Sequence, residues 1–191
     1  MDLKLNITGT DPLLMHNARL SDEFDPIVRL MKELTSKRTN KTDDDRWELR
    51  RLEFHGGLYM DKNLGPYIPG QNIERALRDA AVVTRQGKNI QRGVVVLTSR
   101  ARLEYDGPRD ADDLWEDKNY VSSASIKVGT SRVIRTRPMF QEWAVSVDLS
   151  LDTEIMDRET LEGIVHRAGK SVGLGDWRPR YGKFSAELTE A

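Results

Sequence analysis

The chain opens on an alternation. Leu3, Leu5 and Ile7 are apolar while Lys4, Asn6 and Thr8 are polar, the period of two that marks a strand with one wet face. A strand is predicted over 2–9, ended by Asp11-Pro12. The next segment, LLMHNARLSDEFDP, has no period and is expected as a loop. Asp25 ahead of Pro26 predicts a helix start, and Ile27, Leu30, Met31 and Leu34 share one face of that helix. Residues 35–45 are polar and charged and are expected to be mobile. A second helix is predicted over 43–56, carrying Trp47 and Leu52 and stopping at Gly56-Gly57.

Prolines bias their predecessors away from helix, so the start of GPYIPG, from residue 65, is expected to be extended. Ile73, Ala76, Leu77, Ala80 and Ala81 then form a helical stripe. It predicts a helix over 70–84, with Gln71, Arg75 and Arg78 off the stripe. The run Val94 to Leu97 predicts a strand over 92–104. Residues 105–120 are acidic and turn-rich, with Trp115 as their anchor. Gly129-Thr130 predicts a hairpin tip. Val145, Val147, Leu149 and Leu151 alternate, predicting a strand over 143–151. Asp157 caps a helix over 157–172 whose apolar face is Leu161, Ile164, Val165, Ala168 and Val172. Phe184, Ala186 and Leu188 mark a last strand over 183–189.

With 10–66 and 105–142 set aside as insertions, the order is β-α-β-β-α-β. That is the ferredoxin-like order of an α+β domain, here one domain over 1–191. The first insertion is helical, and the second is an acidic loop plus a basic hairpin. Both core helices are expected on one face of a four-stranded antiparallel sheet. The open face is where the RNA-recognition form of this fold binds nucleic acid.

Composition narrows the chemistry. The 191 residues are 38% hydrophobic and 32% charged, with a formal net charge of −1. A polyanion must therefore be met by a local basic patch. There is no cysteine, which removes disulfides, thiolate metal sites and thiol nucleophiles. The opening lacks an apolar core of signal-peptide length, and no stretch is long enough to span a membrane. A cytoplasmic protein with no membrane partner is expected.

Two stretches carry candidate chemistry. GLGDWRPRYGKF, 173–184, combines glycines that permit close approach with Trp177, Tyr181, Arg178, Arg180 and Lys183. Its plain alternative is a helix C-cap and a tight connection, and Trp177, by its size, is expected to be mostly buried on either reading. Between 121 and 140 stand Lys127, Arg132, Arg135 and Arg137 and no acidic residue, the composition of a ribbon that tracks phosphates. The alternative is the wet side of a ribbon neutralised by the acids of 106–117. His16, His55 and His166 have no ligand spacing. Asp43, Asp44 and Asp45 suit a helix start better than a metal site. No phosphate-binding loop or nucleophile elbow is present, and neither a metal nor a cofactor is expected.

PYIPGQNIERALRDA, 66–80, resembles the segment that opens the first helix in the RAMP superfamily. GLGDWRPRYGKF resembles that superfamily's glycine-rich loop before the last strand, and TGTDPLLMHN, 8–17, resembles its opening. The nearest type is the backbone subunit of CRISPR effector complexes, which binds guide RNA and stacks into a filament. The resemblance implies nucleic-acid contacts from His16 and Asn17, from Gln71, Asn72 and Arg78, and from Arg178, Arg180 and Lys183. Glu74-Arg75 stands where the family usually has Lys-Gly, and Asn17 stands for a glycine of the opening motif.

Three functions are compatible with these residues. The first is a binding module for single-stranded RNA or DNA that self-assembles along the strand as a homo-oligomer or filament. The second is a ribonuclease, metal-assisted or metal-independent, using the loop near Asp22. The third is a viral or mobile-element scaffold for protein contacts or for nucleotide-sized ligands only.

Overall fold

The structure is a computed structural model that describes residues 1–37 and 41–191. Of the stretch 35–45 expected to be mobile, residues 38–40 lie outside the described residues. In chain order the elements are β1 (Asp2–Gly9), β2 (Leu13–Leu14), α1 (Pro26–Ser36), α2 (Asp43–Gly57), β3 (Met60–Asp61), β4 (Gly65–Pro69), α3 (Gly70–Val82), α4 (Gly87–Gly93), β5 (Val94–Val96) and β6 (Arg100–Arg102). There follow α5 (Ala111–Glu116), β7 (Val121–Val128), β8 (Ser131–Phe140), β9 (Ala144–Leu151), α6 (Arg158–Arg167) and β10 (Phe184–Glu190). The chain divides into two compact units. One comprises Met1–Leu13, Asp61–Asp106 and Gln141–Ala191, the other Leu14–Met60 and Gly107–Phe140.

The first unit holds a four-stranded sheet in the order β10-β1-β9-β5. Every neighbouring pair is antiparallel, with Leu5 opposite both Leu188 and Val147. Numbered within the core, the order is 4-1-3-2, the ferredoxin-like arrangement. Leu3, Leu5, Ile7, Val145, Val147 and Leu149 point to one face and are at most 1% exposed. The stripe of α3 and the apolar side of α6 are buried too, and the two helices pack on each other. Burying each such aliphatic side chain stabilises the unit by roughly 1.5–3 kcal/mol.

Close approaches fix the ends of this sheet. Gly9 N donates to Trp143 O at 2.8 Å, and Trp143 Nε1 donates to Asp11 O at 3.0 Å. A Cβ on Gly9 would stand 2.2 Å from that indole nitrogen, so the ring of Trp143, 3% exposed, packs where a side chain would be.

The strand predicted over 92–104 is a correction. Arg92 lies in the last turn of the short helix α4, whose cap bond runs from Val94 N to Ile90 O. Val94–Val96 joins the central sheet against β9, and Glu104 returns to β9 only as a single bridge to Ala144. The chain then turns at Thr98, and Arg100–Arg102 pairs with β4 instead. The outward N–H of Val96 is taken by the Glu74 carboxylate at 3.3 Å.

In the second unit Thr42 and Asp45 form a reciprocal cap at the start of α2, so the acidic run 43–45 is a helix start. Residues expected as a loop after β1 include a 3-10 turn, Ala18–Ser21. The acidic stretch 105–120 contains α5, capped by Asp110, with Trp115 buried beneath it. β7 and β8 form the expected hairpin, and Gly129 sits at its tip with φ +60°.

Candidate nucleic-acid interface

α3 begins where only glycine fits. A Cβ on Gly70 would lie 2.4 Å from Thr98 O. Its cap residue is Pro69, whose side chain offers no acceptor to the first-turn amides. Off the buried stripe, Gln71, Asn72, Arg75 and Arg78 line a cleft of about 510 Å³ together with Gln91 of α4. Three of the residues expected from the sequence, Gln71, Asn72 and Arg78, are thus brought to one place. Arg75 is committed elsewhere, donating to both carboxylate oxygens of Asp79 at 2.9 and 3.1 Å.

The glycine-rich stretch is a loop with a closed neck. Leu174 N donates to Gly182 O and Gly182 N to Pro12 O, each at 2.8 Å. Lys183 O accepts from Thr10 N at 2.9 Å and from Asp11 N at 3.3 Å, which ties the neck to the turn after β1. Gly182 has φ +73°, and a Cβ there would sit 1.8 Å from Leu174 O. Leu174, 1% exposed, fills the core under the neck. Trp177 therefore does not. It was expected to be buried, and it is 38% exposed, at φ +54°, stacked on Tyr181 with ring centroids 6.0 Å apart.

Outside the neck, Arg178 donates to Gly173 O at 3.4 Å and lies 3.7 Å from Asp79, the carboxylate that already holds Arg75. Asp79, Trp177 and Arg178 border a second open cleft of about 520 Å³. The Gly-rich loop thus approaches α3 through Arg178. Arg180 is exposed and Lys183 half-buried.

In the second unit His16, Arg135 and Arg137 line a groove of about 330 Å³ whose other wall is apolar, with Leu20, Val28 and Met31. Arg135 is paired with Glu53 of α2, a carboxylate only 5% exposed. Asn17 is used at both ends: its Oδ1 accepts from Arg19 N at 3.0 Å and its Nδ2 donates to Leu58 O at 2.8 Å. At the hairpin tip Lys127 stands directly opposite Arg132, and both are exposed. Neither has an ion-pair partner among the described residues.

The open face of the central sheet carries Lys4, Asn6 and Thr8, Ser146 and Asp148, and Ser185 and Glu187. Asn6 and Ser146 are hydrogen-bonded there at 2.8 Å. Without an aromatic residue these strands give bases nothing to stack on, unlike the RNA-recognition form of the fold.

The loop near Asp22 is built from local hydrogen bonds. Asp22 accepts from Phe24 N at 2.9 Å, and Asp25 caps α1 through Ile27 N while holding Arg19. Among the described residues no three His, Asp or Glu side chains converge as ligands for a metal ion, and no helix is long and apolar enough to cross a membrane. His55 is mostly buried beside Asp112, and burial pushes its pKa down, opposed by that carboxylate.

Three contributors were not singled out from the sequence: Gln91, Asp79 and Glu53. Gln91 falls within a seven-residue helix too short to show a period. Glu53 becomes visible only through Arg135, far along the chain, and the part of Asp79 in the loop contact only through Arg178.

No protein-family model and no curated protein matches the chain. Among solved structures it is similar to a chain in the cryo-EM structure of the Type III-B Cmr-beta bound to cognate target RNA, with a TM-score of 0.53 and 13% identity. The match covers 99% of this chain and 60% of that one, so the protein spans about three fifths of its solved neighbour's length. At that identity the likeness is one of fold, and it agrees with the ferredoxin-like core.

Proposed function

We propose that this protein binds single-stranded nucleic acid, RNA in preference to DNA, and assembles with copies of itself along the strand in a CRISPR-related, cytoplasmic setting. Its role is binding, not cleavage. The observation that carries this reading is the hairpin tip. Lys127 faces Arg132 across the ribbon, and like charges set opposite each other destabilise a strand pair. Over 121–140 the sequence supplies no carboxylate to relieve them. The tip is suited to an anion that arrives from outside. The α3 cleft with Arg78, and Arg178 on the loop beside it, give the first unit cationic surface of its own. The choice of RNA and of an assembly draws on the fold's likeness to a chain in an RNA-bound structure.

The test is binding of a long labelled single-stranded RNA over a range of salt. Affinity should fall steeply with salt. The double variant Lys127→Ala, Arg132→Ala should lower the slope of log K against log salt by about 1.4, from two lost phosphate contacts. An unchanged slope in a folded variant would overturn the assignment of the tip. Light scattering should show particles that grow with RNA length; monomers at every length would sink the assembly.

A further inference from the structure

Three side-chain carboxamides converge on the α3–α4 cleft: Gln71 and Asn72 from the first turn of α3, and Gln91 from α4. None has a side-chain hydrogen-bond partner among the described residues. Their neighbours differ. Asn89 donates to Gln86 at 2.5 Å, Glu74 accepts from Val96 N, and Arg75 is held by Asp79. The groups left open are therefore amides, plus the guanidinium of Arg78. The apolar surface between them is that of Val95, which borders the cleft and is 50% exposed, while Leu77 and Ile90, 2% and 3% exposed, turn into the core beneath.

This set does not suit a phosphate alone, which asks for donors and positive charge. A carboxamide carries a donor and an acceptor side by side, the pattern of a base edge. Asn and Gln pair in this bidentate way with adenine, and a base splayed out of a single strand presents its edges freely. The volume of about 510 Å³ is within the range of pockets for small ligands, of the size a nucleotide needs. A base seated there would rest against Val95, with Asn72 and Gln91 at its edge and Arg78 available to its phosphate.

We infer that this cleft reads a purine base, adenine by its pairing chemistry, in the bound strand. The inference rests on the reading that the chain binds single strands, and it adds a sequence preference to it. The experiment compares oligo(A), oligo(U) and oligo(C) of equal length at one salt concentration. Oligo(A) should bind roughly tenfold more tightly. The double variant Asn72→Ala, Gln91→Ala should bring oligo(A) to the level of the others and leave the salt slope unchanged. Gln91→Glu keeps the size and removes the donor, so it should abolish the preference even if the double variant folds poorly. Equal binding of all three homopolymers by the wild type would overturn this inference alone. So would a preference that survives both variants, or one for a pyrimidine. Binding of none would overturn the parent reading and this one with it.

Discussion

The buried carboxylate of Glu53 holds Arg135 at 2.5 Å, and its other oxygen accepts from Thr136 N at 2.9 Å. Arg135 is thus built into the hairpin's junction with α2. Glu53→Ala would leave a buried N–H without an acceptor and lower the stability of the second unit by about 1–3 kcal/mol. Arg135→Ala should lower the melting temperature while leaving the salt slope of RNA binding nearly unchanged, the reverse of the result expected at Lys127 and Arg132. Melting curves beside the binding titrations check both.

Trp177 gives a graded test of its exposure. Trp177→Ala should lose mainly the stacking on Tyr181, about 1 kcal/mol, rather than the roughly 3–5 kcal/mol of a deleted core aromatic. Phe140, fully buried, is the control for the larger loss. Trp177→Gly should be no worse than alanine, since glycine accepts the φ of +54° without a steric cost. Denaturant titrations of the variants decide.

Two glycines share a backbone conformation and differ in their surroundings. Gly129 has φ +60° and nothing within 4 Å of an added Cβ, so Gly129→Ala should cost about 1 kcal/mol from the backbone alone. Gly182 has φ +73° and Leu174 O where the Cβ would go, so Gly182→Ala should cost more than about 2 kcal/mol and open the loop neck. Thermal melts rank the pair, and faster amide exchange at Leu174 should report the opened neck.

His55 predicts a pH dependence. Its Nε2 is buried, 3.4 Å from Asp112, with no hydrogen bond aligned on it, and Arg51, Glu48 and Asp110 also act on it. Burial holds its pKa below the usual 6.5. The unfolded chain then takes up the proton first as pH falls. The contribution is complete above the unfolded value and declines below it, toward the folded pKa. Denaturant midpoints should therefore drop below pH ~6.5, and His55→Gln should flatten that part of the decline.

The fold was legible wherever one period ran long enough to expose a wet and a dry face. Alternation placed β1 and β9, and the alanine-rich stripe placed α3. The apolar run at 94–97 misled because it is not one strand: Val95 and Leu97 are 50% and 57% exposed, and the chain leaves the sheet after Val96. Trp177 misled because size suggested burial, while Leu174 three residues earlier occupies the core. Of the candidate site, the positions were legible and the pairing was not. Arg135 and Lys127 look alike in sequence, and only the fold brings Glu53 to one of them.

The facing cations at the hairpin tip make dissolved salt act in two opposed ways. Counterions screen the repulsion between Lys127 and Arg132, so the unliganded ribbon becomes easier to close as ionic strength rises. The same ions displace the strand that would neutralise the tip. Bound RNA and simple electrolyte are then substitutes for one another at this spot. Hairpin order measured without RNA should climb with added salt over the range in which RNA is released.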